Sequence, residues 1–206
     1  MTAGKFITLE GIEGVGKTTH LAFIADRLQQ QGHTVILTRE PGGTRVGEAI
    51  REILLHGKDM QIDSMAELLL MFAARAQHLQ EVVRPALAKG QYILCDRFTD
   101  ATYAYQGGGR GLSMAEIGVL ETLVQQQLQP NVTLLFDASV QTGLSRAKKR
   151  GEADRFEAET VSFFERVRQT YLDRAREQPQ RFRIIDAEQT LVAVEQQIAG
   201  ILETLR

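Results

Sequence analysis

Gly11-Ile12-Glu13-Gly14-Val15-Gly16-Lys17-Thr18 follows an apolar run at residues 6–9 and opens a helical pattern at residues 18–31. The spacing is G-x-x-x-x-G-K-[ST], and the context of strand before and helix after is the one that motif requires. The glycines let the backbone turn so that successive N–H groups face inward and bind phosphate oxygens. The helix N-terminus adds partial positive charge. Lys17 is placed to reach the β- and γ-phosphates of a nucleotide, and Thr18 to ligate Mg²⁺. An ordinary glycine turn ahead of a helix is the bland alternative, but motif and context together favour the phosphate reading.

Outward from this loop, short apolar runs alternate with longer helical patterns. Strands are expected at residues 6–9, 35–38, 92–95, 132–136 and 183–185. Helices are expected at 18–31, 46–55, 64–88, 113–128, 140–150, 157–177 and 191–205. Ser113 and Glu116 have the spacing of a capping box, and residues 107–111 read as a glycine-rich break. Apolar strands between amphipathic helices predict an α/β fold, a three-layer doubly wound parallel five-stranded sheet with helices on both faces. With the phosphate loop this is a P-loop NTPase fold. No repeat, low-complexity tract or linker divides the chain, so residues 1–206 are expected to form one domain. In such sheets ligands bind beyond the carboxyl ends of the strands.

The 206 residues suffice for one well-buried domain. The formal net charge of −2 argues against a nucleic-acid binder relying on bulk positive charge. Cys95 is the only cysteine, so no intrachain disulfide can form. The first residues lack the apolar core of a signal peptide. The longest apolar block, residues 68–74, is far short of the roughly 20 residues that span a bilayer. A cytoplasmic protein without membrane or nucleic-acid partners is the expectation.

The sequence also narrows the class of nucleotide protein. D-x-x-G and N-K-x-D, expected of a GTPase, do not occur. A mechanical ATPase usually ends its third strand with two acidic residues, the second activating water; here Asp96 is followed by Arg97. An arginine there suits a second phosphate, which points to a kinase acting on a phosphorylated small molecule.

At this point the chain resembles the thymidylate kinase family, nucleoside monophosphate kinases that make dTDP from dTMP and ATP. The resemblance rests on Leu9-Glu10 with the loop through Thr19, and on Thr38-Arg39-Glu40-Pro41-Gly42-Gly43-Thr44. It continues through Ala73-Ala74-Arg75, Asp96-Arg97, Ala104-Tyr105-Gln106-Gly107-Gly108-Gly109-Arg110-Gly111, and Arg146 to Glu157. These segments cover nearly the whole chain, and the second and fifth are far more specific than the loop.

Residue roles follow, some from chemistry and some from the resemblance. Arg39 and Arg97 each follow a strand end, and guanidinium can pair two phosphate oxygens at once; Arg51 is a third candidate. The resemblance implies that Glu13 faces the acceptor's 3′-hydroxyl; a solvent-facing loop residue is the alternative. It implies a cis bond between Glu40 and Pro41 that holds the carboxylate near magnesium or acceptor. Asp96 is the candidate to hold magnesium through water, with helix capping as its structural alternative. For the base, family members stack thymine on a phenylalanine four residues before an arginine. Arg75 fits, but Met71 stands four before and Phe72 three before. Both share a helix face with Arg75, and the choice expected here is Phe72. Thr102 and Gln106 fall where the family contacts the pyrimidine edge. Tyr105 is a candidate to exclude a 2′-hydroxyl, or one half of a half-buried pair with Tyr103.

Residues 146–155 are the densest basic stretch. By resemblance they form a lid at about 143–157. The family draws a catalytic arginine either from the phosphate loop or from the lid, and this loop has none. Arg150 is therefore the expected catalytic arginine beside Lys17, Arg97 and Glu13, and Arg146 the expected cover for adenine. ATP and Mg²⁺ are the implied cofactors and dTMP the implied partner substrate. A homodimer through the helix face at residues 68–76 is implied by resemblance alone.

Overall fold

Five short strands rich in Val, Ile, Leu and Phe assemble because their faces can be buried together. They are β1 (Phe6–Glu10), β2 (Val35–Arg39), β3 (Tyr92–Asp96), β4 (Val132–Asp137) and β5 (Phe182–Asp186). All pair in parallel, in the order β2-β3-β1-β4-β5. The computed structural model describes residues 4–56, 60–149 and 154–205. Every residue of the central β1 is buried, as a strand covered on both faces requires.

The helices are α1 (Lys17–Gln30), α2 (Arg45–His56), α3 (Ser64–His78), α4 (Arg84–Ala88), α5 (Thr99–Thr102), α6 (Met114–Gln125), α7 (Val140–Lys148), α8 (Val161–Glu177) and α9 (Leu191–Glu203). Side chains alternate across each strand, and the two faces are covered by different helices. Ile7, Leu9 and Leu94 pack with Ile24 and Leu28 of α1 and Ile198 and Leu202 of α9. Phe6, Ile93 and Cys95 pack with Leu79, Val83 and Ala86 on the other side. This is the three-layer α/β architecture. Among the described residues no helix is long and apolar enough to cross a membrane.

Three local expectations are corrected. The break expected at residues 107–111 falls at its far end only, since the helix runs to Gly109 and Gly111 leaves it with φ 78°. Gly107, Gly108 and Gly109 lie inside a widened π turn, Tyr103–Gly109. These glycines permit close approach to neighbouring helices. A Cβ on Gly108 would stand 2.1 Å from Thr170 Oγ1, and one on Gly109 2.4 Å from the Phe163 ring. Ser113 precedes α6 without a side-chain cap bond, and α6 stops at Gln125, three residues short of the expected end. The helix expected from residue 157 starts at Val161, because Thr160 caps it by accepting from Phe163 N. Asp154 instead closes a turn by accepting from the backbone of Phe156 and Glu157. The long helix at 64–88 is continuous but widens to a π stretch at Leu79–Val83. Pro85 follows it, lacking an N–H and crowding the carbonyl four residues back.

What this fold does for function lies at the carboxyl edge. β1 is central, and the chain leaves it towards β2 on one side while β4 flanks it on the other. Glu10, Arg39, Asp96, Asp137 and Asp186 end the five strands, so charged groups gather along one rim, where such folds bind ligands.

Candidate active site

A cavity of about 730 Å³ opens at this rim. One wall is residues 13–18 of the glycine loop. Gly14 has φ 72°, and a Cβ there would lie 1.9 Å from the Gly143 carbonyl oxygen of α7. The loop thus turns in the left-handed region while pressed against a helix, and only glycine meets both demands. Helix α1 begins at Lys17 behind Gly16, with no side-chain cap bond and no acidic residue in its first turn. Its first N–H groups are therefore offered to an anion. Lys17 Nζ donates to the Gly11 and Ile12 carbonyls at 2.9 and 2.8 Å. Burial, followed by the like charge of Arg97, lowers its pKa from 10.5 to about 8.

Arg97 stands beside Lys17, since both donate to Gly11 O at 2.9 Å. Its φ of 69° lies in the left-handed region, which costs a side-chain-bearing residue of order 1 kcal/mol or more. The position is held by Arg97 N donating to Leu9 O at 3.0 Å. The guanidinium donates to Gly11 O (2.9 Å), Tyr171 Oη (3.2 Å) and Glu13 Oε1 (2.8 Å). Burial disfavours its charge, but Tyr105, Glu13 and Tyr171 outweigh that and hold its pKa well above the ordinary value. The Tyr105 hydroxyl lies 2.7 Å from both Glu13 carboxylate oxygens. Glu13 is thereby clamped between Arg97 and Tyr105. Arg51 donates to Pro41 O at 2.9 Å, and its pKa is lowered by burial and then by Arg39. Lys17, buried, and Arg51, half-buried, are cations whose charge is disfavoured chiefly by removal from water, and each gains from an anion that comes to it. That is the electrostatic form of an anion site.

A third group joins the strand ends to the interior. The Glu40-Pro41 bond is cis. Glu40 accepts from Arg75 Nε at 2.7 Å and is 2.8 Å from His78 Nδ1. Arg75 also donates to Thr102 Oγ1 at 2.9 Å. Among the described residues, its other terminal nitrogen is buried without a hydrogen-bond partner, as is Asp96 Oδ1. Such groups are rare in a folded interior, and both residues line the cavity.

The matches with known proteins agree with this geometry. The thymidylate kinase family model matches residues 9–198. The chain belongs to the thymidylate kinase family. It is 59% identical over 202 residues to the thymidylate kinase of Ectopseudomonas mendocina (strain ymp), covering 98% of this chain and 96% of that one. It is 58% identical over 208 residues to that of Pseudomonas entomophila (strain L48), with 99% of each covered. The crystal structure of thymidylate kinase from Ehrlichia chaffeensis superposes with a TM-score of 0.79 at 32% identity, over 99% of this chain and 100% of that one. As a member of the thymidylate kinase family, the chain is a nucleoside monophosphate phosphotransferase.

Most of the residues singled out as thymidylate kinase site candidates converge on the cavity. Glu13, Lys17, Thr18, Glu40, Arg51, Arg75, Asp96, Arg97, Thr102, Tyr105, Gln106 and Arg146 all line it. Phe72 does not, which corrects the expectation that it supplies the stacking surface. It is 3% exposed, packed with Leu68, Tyr103 and Ile117, its ring 4.7 Å from the Arg75 guanidinium carbon. Met71 lines the cavity instead. Arg39 is not part of the lining; it is half-exposed and paired with Glu48 at 2.8 Å. Arg150 lies outside the described residues.

Sequence reasoning missed Glu10, Tyr171 and Phe156. Glu10 ends β1 fully buried, accepting from Tyr171 Oη at 2.8 Å and Phe98 N at 2.7 Å. Burial, with Asp100 nearby, raises its pKa above the ordinary 4.5. A charged residue at the end of an apolar strand was the available signal for Glu10. Tyr171 had none, since it sits among ordinary helix residues, and Phe156 had only its place within the segment from Arg146 to Glu157.

Proposed function

We propose that the chain transfers the γ-phosphoryl group of ATP to dTMP, giving dTDP and ADP, with Mg²⁺. The observation that carries this reading is one cavity that gathers Lys17 with the α1 N-terminus, Arg97 and Arg51 along a single rim. A donor polyphosphate and an acceptor phosphate can then lie end to end. Holding two reactants in that alignment is most of what phosphoryl transfer requires.

On the donor side the backbone N–H groups from Gly11 to Thr18 hold the phosphates. Lys17 leaves the Gly11 and Ile12 carbonyls for the β- and γ-phosphate oxygens, and Arg146 covers the adenine. Thr18 is an exposed oxygen donor on the cavity wall, and Asp96 offers a buried carboxylate oxygen without a partner. These hard oxygen groups suit Mg²⁺, which keeps several waters and takes few protein ligands. When bound, the ion neutralises charge on the transferring group.

On the acceptor side Arg97 and Arg51 bind the dTMP phosphate, with Arg39 joining from the rim. Glu13 receives the 3′-hydroxyl, and Tyr105 fills the space a 2′-hydroxyl would need. Arg75, Thr102 and Gln106 read the base, and Met71 packs against it. Glu40 holds Arg75 in place. The acceptor phosphate is itself the nucleophile, so no side chain need form a covalent bond. Arg150, in a lid at about 143–157, supplies charge to the transferring oxygens, and closure excludes water. The reading is completed by a single domain over residues 1–206, a cytoplasmic location and a homodimer. Exposed Leu69 on α3 and Val119 and Leu123 on α6 support that dimer face.

A panel of nucleoside monophosphates with ATP and Mg²⁺ tests the proposal. dTMP should be the preferred acceptor, and Lys17→Ala should abolish turnover. A much faster reaction with another monophosphate would overturn the assignment.

A further inference from the structure

Glu67 lies outside the cavity and is fully buried on α3, yet three side chains converge on it. Gln106 Nε2 donates to Glu67 Oε1 at 2.8 Å. Arg110 donates to both carboxylate oxygens at 3.3 Å. Arg155 donates to Oε2, while its own Nε donates to Leu54 O at 2.8 Å and its N–H to Leu55 O at 3.1 Å. A buried carboxylate between two guanidinium groups can only accept. The Gln106 amide is therefore turned with its nitrogen towards Glu67. Its oxygen carries no hydrogen bond among the described residues, and Gln106 lines the cavity. On the same wall Arg75 holds a buried terminal nitrogen without a partner. The wall thus presents an acceptor from Gln106 and a donor from Arg75.

We propose that Glu67 is a positioning residue that sets acceptor specificity by fixing the Gln106 amide with its oxygen towards the cavity. This rests on the reading of Gln106 and Arg75 as base contacts. A base with a ring N–H beside a carbonyl satisfies both groups, as thymine and uracil do. Cytosine carries a bare ring nitrogen beside an amino group and leaves both unpaired. A free glutamine could flip its amide and pair with either base. Anchoring by Glu67 removes that option, and rejection through unpaired buried groups is the strong form of discrimination.

The test is the ratio of kcat/KM for dTMP to that for dCMP in Glu67→Gln. A glutamine at 67 can accept or donate, so Gln106 is no longer locked. The ratio should fall at least tenfold, while the ratio of dTMP to dUMP, which share the N–H and carbonyl, stays within twofold. Loosened anchoring of Arg110 and Arg155 would slow all acceptors alike and leave the ratios unmoved. In a Gln106→Ala background, Glu67→Gln should have no further effect on the dTMP to dCMP ratio. If Glu67→Gln does not fold, Glu67→Asp keeps the charge but withdraws the oxygen from Gln106, and the same fall is expected. An unchanged ratio in the folded variant overturns the proposal. Failure of the unmutated protein to phosphorylate dTMP would instead overturn the functional reading beneath it.

Discussion

Raising the pH through the titration of Lys17 tests the phosphate cradle directly. In the ligand-free chain, burial and then Arg97 lower this lysine from 10.5 to about 8. Polyphosphate against Nζ supplies opposite charge and restores the proton. At pH 8.5 about three-quarters of the free lysines lack a proton, so ATP binding should take up about 0.8 of one. Between pH 7 and pH 9.5 ATP affinity should fall about 30-fold, roughly 2 kcal/mol, as the protonated fraction shrinks. Calorimetry at pH 8.5 in two buffers of different ionisation enthalpy counts the protons, and titrations across the range give the affinity. Lys17→Arg, which stays charged throughout, should bind ATP more weakly at neutral pH but show a flat profile. Affinity unchanged up to pH 9.5 with no proton uptake at 8.5 would refute the reasoning. The stability of the free protein carries the linked sign. Between about pH 8 and 10.5 the unfolded chain holds the Lys17 proton that the folded one has lost. This residue's contribution to stability therefore rises with pH across that window.

Asp100 is buried and accepts from Arg174 at 2.6 Å and from Arg181 at 2.7 and 2.8 Å. Asp100→Asn leaves two guanidinium groups short of their counter-charge and should cost about 3–5 kcal/mol in urea unfolding; a loss below about 1 kcal/mol would show that the arginines find water. Burial raises the Asp100 pKa, but Arg181 and Arg174 outweigh it and lower it below 3.8. Its stabilisation should therefore hold above the unfolded value and be lost as pH falls through the folded one, an acid limb that Asp100→Asn removes. Gly108→Ala places a methyl 2.1 Å from Thr170 Oγ1 and 3.0 Å from the Arg166 carbonyl oxygen. Overpacking of that kind should cost about 1–3 kcal/mol by thermal unfolding, and an unchanged midpoint would mean that the π turn can move away from α8.

Several parts of the site were legible because local chemistry dictates them. The loop from Gly11 to Thr18 carries its own spacing and context, and Arg97 announced itself by following Asp96. Other positions depended on helix phase. Met71 and Phe72 are adjacent and both suit a helix face turned to a ligand. Only packing against Leu68, Tyr103 and Ile117 draws Phe72 into the interior and leaves Met71 on the cavity wall. The glycines at 107–109 misled for a related reason. Glycine marks both a chain break and a close approach, and the second applies only because α8 lies against it.

By itself the sequence determined the alternation of strand and helix, the phosphate-binding loop and the charges that close each strand, since these follow from periodicity, backbone freedom and residue chemistry over a few neighbours. The tertiary structure alone decided how residues far apart share a task. Arg97 meets Glu13 and Tyr171 by hydrogen bonds and the Tyr105 ring by its guanidinium face, and Glu67 gathers Gln106, Arg110 and Arg155. Such pairings depend on strand order and on which helix crosses which face. Those are set by burial of the whole core, and no local window of sequence contains them.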